Sequence, residues 1–130
     1  MTKKKILIAT GGTGGHIFPA LSLAKNLIKK NYDIILTTDK RGLKYLSDIN
    51  EINLKKITSS PLIKRNIFKL IYSILLICYS TVKSLFLLSL NRPHIIIGMG
   101  GYSSFPVCIA ATILRIKFTI YENNLIIGKA

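Results

Sequence analysis

A chain of 130 residues has room for one domain with a real core, in which roughly two-thirds of the unfolded surface is buried, and none for a second domain of ordinary size. A hydrophobic share of 49% and a mean hydropathy of +0.41 exclude a disordered chain and point to strands buried on both faces, a membrane-facing surface, or both. Nineteen Lys and Arg against five Asp and Glu give a net charge of +14, a field that favours anionic partners. The lysines are spread along the chain and Trp is absent, which argues against a nucleic-acid-binding face.

The start, Met1 to Lys5, is basic like the first region of a signal peptide, but the apolar run behind it is only Ile6 to Ala9, and no secretion signal follows. Ile6 to Ala9 instead has the pattern of a strand buried on both faces of a parallel sheet. A glycine loop, Gly11-Gly12-Thr13-Gly14-Gly15-His16, comes next. From Pro19, which suits a first helical turn, Ala20, Leu23, Ala24, Leu27 and Ile28 share one stripe of an amphipathic helix that ends in lysines. Asp33 to Thr37 is a second strand, so the opening is a βαβ unit. A short helix over Gly42 to Ile49 and a weaker strand over Leu54 to Thr58 are expected next.

Asn66 to Leu90 is the most apolar stretch, long enough for a membrane span. Lys69 and Lys83 leave thirteen uncharged residues between them where a span needs about twenty, and Asn66, Lys69, Ser73, Ser80 and Ser84 form an approximate polar stripe. The pattern fits better a helix half buried on the sheet and half turned to a bilayer surface. Lys64, Arg65, Lys69 and Lys83 would then face anionic head groups, with Phe68, Tyr72, Leu76 and Phe86 near the acyl boundary. An ordinary over-apolar packing helix is the plainer alternative.

Pro93 to Ile97 is a further buried strand, with His94 structural at its start, and it runs into a second glycine turn, Gly98-Met99-Gly100-Gly101-Tyr102. Val107 to Leu114 is a small-residue helix and Lys117 to Tyr121 a last strand, followed by the polar loop that opens with Glu122-Asn123-Asn124. Cys78 and Cys108 lie in apolar runs without ligand spacing and read as buried core thiols in a reducing compartment.

In an open parallel sheet, ligands bind outside the carboxyl ends of the strands, where all three loops fall. Glycines let backbone N–H groups approach an anion closely, and a helix N-terminus behind them favours negative charge, so phosphate or pyrophosphate is the natural guest of the first loop. It is neither the dinucleotide fingerprint, for which no acidic ribose partner stands at the expected place, nor a P-loop ending in Gly-Lys-Ser/Thr. Tight strand-to-helix geometry alone would also use such glycines. An imidazole at His16 could accept a proton or bind a hydroxyl, and the Glu122 carboxylate could act as base or hold a sugar hydroxyl.

Together, Gly11 to Ala20, Gly98 to Tyr102 with Pro106, and Glu122 to Asn124 resemble, in order and spacing, the N-terminal half of the MurG family, the UDP-N-acetylglucosamine transferases of peptidoglycan synthesis. The resemblance covers essentially the whole chain. It implies an α/β fold, a Rossmann-like parallel sheet flanked by helices that is the N-terminal, acceptor-binding half of a GT-B glycosyltransferase. It further implies an inverting enzyme that transfers N-acetylglucosamine from UDP-GlcNAc to the muramoyl-pentapeptide of undecaprenyl pyrophosphate (lipid I), giving lipid II, as a peripheral protein on the cytoplasmic face of the cell membrane.

By that resemblance His16 and Glu122 are the candidate catalytic bases. Thr13, Gly14, Gly15, Gly100, Gly101, Tyr102 and Asn124 are the candidate contacts to UDP-GlcNAc or the lipid pyrophosphate. The segment from Lys64 to Phe86 falls on the family's membrane-association patch. No cofactor and no metal is implied. The family's His-Glu-Gln-Asn is here Tyr121-Glu122-Asn123-Asn124, so any role of that first imidazole is lost or passes to tyrosine. The resemblance makes residues 1–130 a truncated first domain, without the C-terminal donor-binding domain and inactive on its own. The alternatives are an acceptor-binding, membrane-associated subunit of a split transferase that needs a partner chain, and a non-catalytic nucleotide-binding or basic nucleic-acid-binding module.

Overall fold

The computed structural model describes residues 2–62 and 64–122. The element order is β1 (Lys5–Ala9), α1 (Gly14–Lys29), β2 (Asp33–Thr38), α2 (Lys40–Leu43), β3 (Asn53–Lys56), α3 (Ile67–Asn91), β4 (Ile95–Gly98), α4 (Ser104–Ile113) and β5 (Phe118–Ile120). All the strands pair in parallel in one sheet of order β3-β2-β1-β4-β5. The chain builds outward from β1 on one side, then crosses over through α3 to build on the other. The topological switch point lies between the carboxyl ends of β1 and β4, where a ligand crevice belongs in such a sheet.

The continuous apolar run of β1 is explained by a core on each side. Ile6 and Ile8, with Ile34 and Leu36 of β2, pack under Ile17, Ala20 and Ala24 of α1. Their alternating neighbours Leu7, Ala9 and Ile35 pack under Leu88 of α3 and Val107, Ala110 and Ala111 of α4. His94 has the structural place expected of it: its backbone N–H donates to the Lys5 carbonyl and its Nδ1 accepts from the Lys5 N–H.

Four local expectations need correcting. Helix α1 starts at Gly14, so Pro19 lies inside it rather than in its first turn. The extended Thr13 opens the helix, and Pro19 forfeits one backbone bond close to the helix start. Helix α2 spans Lys40–Leu43, not Gly42 to Ile49, because the Asp39 carboxylate accepts from the backbone N–H groups of Arg41 and Gly42 and fixes the start there.

The polar stripe of α3 does not stay on one side: Asn66 and Lys69 are exposed, whereas Ser73, Ser80 and Ser84 are buried. Small side chains let the helix lie close to α4. The Ser84 hydroxyl donates to the Ser80 carbonyl (2.7 Å), and that of Ser80 donates to the Thr58 carbonyl. The large apolar side chains therefore point outward, Phe68, Tyr72, Leu75, Tyr79, Val82 and Phe86 among them. Cys78 falls on this outward side and is exposed, against the expectation of a core thiol. Cys108 is partly buried against Gly98, and burial pushes its thiol pKa up. By length and composition α3 could cross a membrane, but its serine face is committed to the domain.

Candidate functional site

At the switch point the first two glycine loops are interlocked. The Met99 N–H donates to the Ala9 carbonyl (2.7 Å), and the Gly11 N–H donates to the Gly100 carbonyl (2.8 Å). The Ser103 hydroxyl closes the contact on the Thr10 carbonyl (2.7 Å). Gly100 and Gly101 have φ of +88° and +83°, which L side chains rarely adopt. A Cβ on Gly101 would stand 2.5 Å from the Gly11 Cα, and one on Gly11 would stand 2.8 Å from the Gly101 Cα. The glycines here make a backbone-on-backbone contact that no side chain would fit between.

His16, in the first turn of α1, is brought against the second loop. A Cβ on Gly100 would lie 2.9 Å from its Cε1 and 3.1 Å from its Nδ1. Nδ1 is buried and, among the described residues, has no hydrogen-bond partner. Thr13 is exposed, and its hydroxyl does not cap the helix. A Cβ on Gly15 would meet nothing within 4 Å. The His16 and Ile17 N–H groups already donate to the Thr13 carbonyl (3.0 and 2.9 Å), so it is the N–H groups before them, those of Thr13, Gly14 and Gly15, that offer donors at an open surface beside the imidazole.

The structure therefore unites Thr13, Gly14, Gly15, His16, Gly100 and Gly101 at one crevice. Tyr102 stands just beyond it, on the wall of a cavity of about 630 Å³ toward α3. Glu122 follows β5 at the same rim; the Tyr121 N–H donates to the Gly98 carbonyl (2.7 Å), which puts β4 between Glu122 and the first loop. Asn124 lies outside the described residues. Of the candidate membrane contacts, Lys64, Arg65, Phe68, Lys69, Tyr72, Lys83 and Phe86 are exposed, whereas Leu76 is half-buried and turned partly inward.

Asp39 was missed. No acid was expected in the place of a ribose partner, yet Asp39 directly follows β2 beside the first loop, so close that a Cβ on Gly12 would overlap its Oδ1. It is no free ribose ligand: Oδ1 accepts two backbone N–H groups, and Oδ2 holds the Arg41 guanidinium at 2.9 Å. The signal was available, since an acid directly after a buried strand and before a helix is both a cap and a rim residue. Thr10 and Ser103 were missed as well. Their contact spans 93 residues and has no local signature.

The family model described as the glycosyltransferase family 28 N-terminal domain matches residues 6–130. A Pelagibacter ubique protein named UDP-N-acetylglucosamine--N-acetylmuramyl-(pentapeptide) pyrophosphoryl-undecaprenol N-acetylglucosamine transferase is 38% identical over 127 residues, 98% of this chain and 35% of its own length. A protein of the same name from the Wolbachia of Brugia malayi is 41% identical over 124 residues, 95% of this chain and 34% of its own. The crystal structure of Acinetobacter baumannii MurG matches with a TM-score of 0.83 at 26% identity, over 97% of this chain and 37% of that one. The chain thus spans about a third of the length of the curated relatives it matches. The expected fold, a Rossmann-like parallel sheet flanked by helices as in GT-B glycosyltransferases, is the one observed.

Proposed function

We propose, from the premise that this chain belongs to the glycosyltransferase family 28 N-terminal domain family, that it forms the acceptor-side wall of an inverting transferase. The reaction moves N-acetylglucosamine from UDP-GlcNAc to the muramoyl-pentapeptide of undecaprenyl pyrophosphate, converting lipid I to lipid II. The names of the relatives support the choice of donor and acceptor. The observation that carries the proposal is the crevice itself, in which the imidazole of His16 lies on Gly100 next to the open first turn of α1.

In this reading the acceptor pyrophosphate is held by the N–H groups of Gly14 and Gly15, with the Thr13 hydroxyl beside them. The acceptor hydroxyl oxygen forms a bond to the anomeric carbon as the bond from that carbon to the UDP oxygen breaks on the opposite face. The hydroxyl proton passes to His16. Its Nδ1 is sealed against Gly100, which leaves Nε2 to receive that proton. Glu122 is the second candidate base, and Asn124 a candidate donor contact.

The outward face of α3 seats the domain peripherally on the cytoplasmic membrane surface. Phe68, Tyr72 and Phe86 enter the interface, and Lys64, Arg65, Lys69 and Lys83 face anionic head groups.

Two measurements test the assignment. In equilibrium binding, this chain takes a short-chain lipid I analogue in preference to UDP-GlcNAc; the reverse preference refutes an acceptor wall. In labelled GlcNAc transfer by the whole polypeptide that carries this chain, His16→Ala lowers kcat by about 10²–10⁴-fold. A kcat left within about threefold of the parent removes His16 from the chemistry.

A further inference from the structure

The cavity of about 630 Å³ on the α3 side of the second glycine turn is not used by the transfer chemistry. We propose that it is a prenyl site, taking the isoprenoid segment next to the acceptor's pyrophosphate out of the bilayer and into the protein. The proposal rests on the acceptor reading above.

The position of the cavity carries the inference. One wall, Tyr102 and Phe105, follows directly from the Gly100-Gly101 turn at the pyrophosphate crevice. The opposite wall includes Ile77, in the middle of α3, whose outward neighbours are the exposed Ile74, Tyr79 and the rest of the apolar face. Leu62, with the serines after β3, closes the remaining side. The cavity thus lies between a polar crevice and a surface suited to lipid, as an amphiphile with a pyrophosphate head and a hydrocarbon tail requires.

Its lining fits hydrocarbon better than the other substituent of the acceptor, a sugar bearing a peptide. The volume is in the usual range of about 300–1,000 Å³ for small-molecule sites, which are mostly apolar with a few placed polar groups. A pentapeptide would bury many amides, each needing a partner. Here the Ser60 hydroxyl is taken up by the Pro61 carbonyl at 3.2 Å, which leaves as polar side chains the Ser59 hydroxyl, without a partner among the described residues, the Tyr102 phenol and Lys64. A single lysine beside an apolar slot suits the charge of a prenyl pyrophosphate. Drawing the first isoprenes into the slot also lifts the pyrophosphate above the head groups toward the carboxyl end of the sheet.

The test is calorimetric titration of the chain, without membranes or detergent, by farnesyl pyrophosphate, inorganic pyrophosphate and an unprenylated muramoyl-pentapeptide. Farnesyl pyrophosphate is expected to bind at least about tenfold more tightly than inorganic pyrophosphate, as a few buried CH₂ groups would give. Phe105→Ser and Leu62→Ser, at half-exposed positions that the fold tolerates, should abolish that advantage and leave the affinity for inorganic pyrophosphate unchanged. Phe68→Ser, on the outer face of α3, should leave both affinities unchanged.

Equal affinity for the two pyrophosphates overturns the prenyl site while sparing the crevice. A Phe68→Ser loss as large as that of Phe105→Ser overturns it in favour of the outer face. Binding of the muramoyl-pentapeptide that Phe105→Ser abolishes overturns it in favour of the peptide. Failure of both pyrophosphates to bind refutes the acceptor reading itself, and the prenyl site with it.

Discussion

Gly101 and Gly15 belong to the same crevice but are glycines for different reasons, and replacing each by alanine separates the two. At Gly101 the backbone has φ of +83°, and the new Cβ would stand 2.5 Å from the Gly11 Cα and 2.9 Å from the Gly11 nitrogen. Left-handed backbone in a non-glycine residue costs about 1–2 kcal/mol. Forcing an atom into packed backbone adds about 1–3 kcal/mol, since neither loop can give way without breaking the Gly11 to Gly100 hydrogen bond. Gly101→Ala should therefore lose about 2–5 kcal/mol, a drop in Tm of roughly 6–20 °C for a domain of this size. At Gly15 the φ is helical and nothing lies within 4 Å of the new methyl. Gly15→Ala should gain about 0.5–1 kcal/mol by helix propensity, yet bind pyrophosphate more weakly, because the methyl stands where the anion approaches. Urea and thermal unfolding followed by circular dichroism measure the first effect, and pyrophosphate titration the second. A Gly101→Ala protein within about 0.5 kcal/mol of the parent would refute the interlocked-loop geometry. A Gly15→Ala protein more stable but unchanged in anion binding would refute the anion site.

Removing the carboxylate in Asp39→Ala orphans two α2 N–H groups and frees Arg41; it should cost about 1–2 kcal/mol in urea unfolding, whereas Asp39→Asn, which can still cap, should cost less. Ser73→Ala deletes a buried hydroxyl that has no partner among the described residues, so stability should stay level or rise by up to about 1–3 kcal/mol. A disulfide reagent should label Cys78 fast and Cys108 slowly, with Cys78→Ser removing the fast phase; two equal rates would contradict the exposure difference. The raised pKa of Cys108 also fixes a sign: burial favours the neutral thiol, so its stabilising contribution holds below the ordinary thiol pKa of about 8.5 and falls as pH rises from there toward the folded-state value. Cys108→Ala should flatten that alkaline decline.

Legibility of the sequence followed how local the physics is. The apolar run Ile6 to Ala9 and the stripe Ala20, Leu23, Ala24, Leu27 and Ile28 are settled by which side chains must leave water, and both elements lie where periodicity puts them. The start of α1 was misplaced because Pro19 is a familiar first-turn residue, while the event that opens the helix is the extended Thr13 among glycines. The contact of His16 with Gly100, and that of Ser103 with Thr10, join residues far apart in sequence and are set only by strand order. The first two glycine loops were legible as neighbours on one rim, but which atoms meet there was not.

The serines of α3 show why a periodic pattern alone can give the wrong sense of a helix. Polar residues at helical spacing normally mark the wet face. Ser80 and Ser84 reverse this because a serine hydroxyl can be satisfied by a nearby carbonyl, here those of Thr58 and Ser80, and its small volume permits close approach. Once that face is inside, Phe68, Tyr72, Tyr79 and Phe86 have nowhere to go but out, an arrangement that water alone would not favour. On the seating proposed above, a bilayer interface would relieve the outward aromatics, and the exposed lysines at positions 64, 69 and 83 would meet anionic lipid. If that is so, Phe68→Ser with Phe86→Ser should leave unfolding unchanged and release the chain from anionic vesicles in a sedimentation assay. Lys69→Glu with Lys83→Glu should weaken that binding most at low salt. Double serine variants that sediment like the parent would mean that the outward face of α3 is not what meets the membrane.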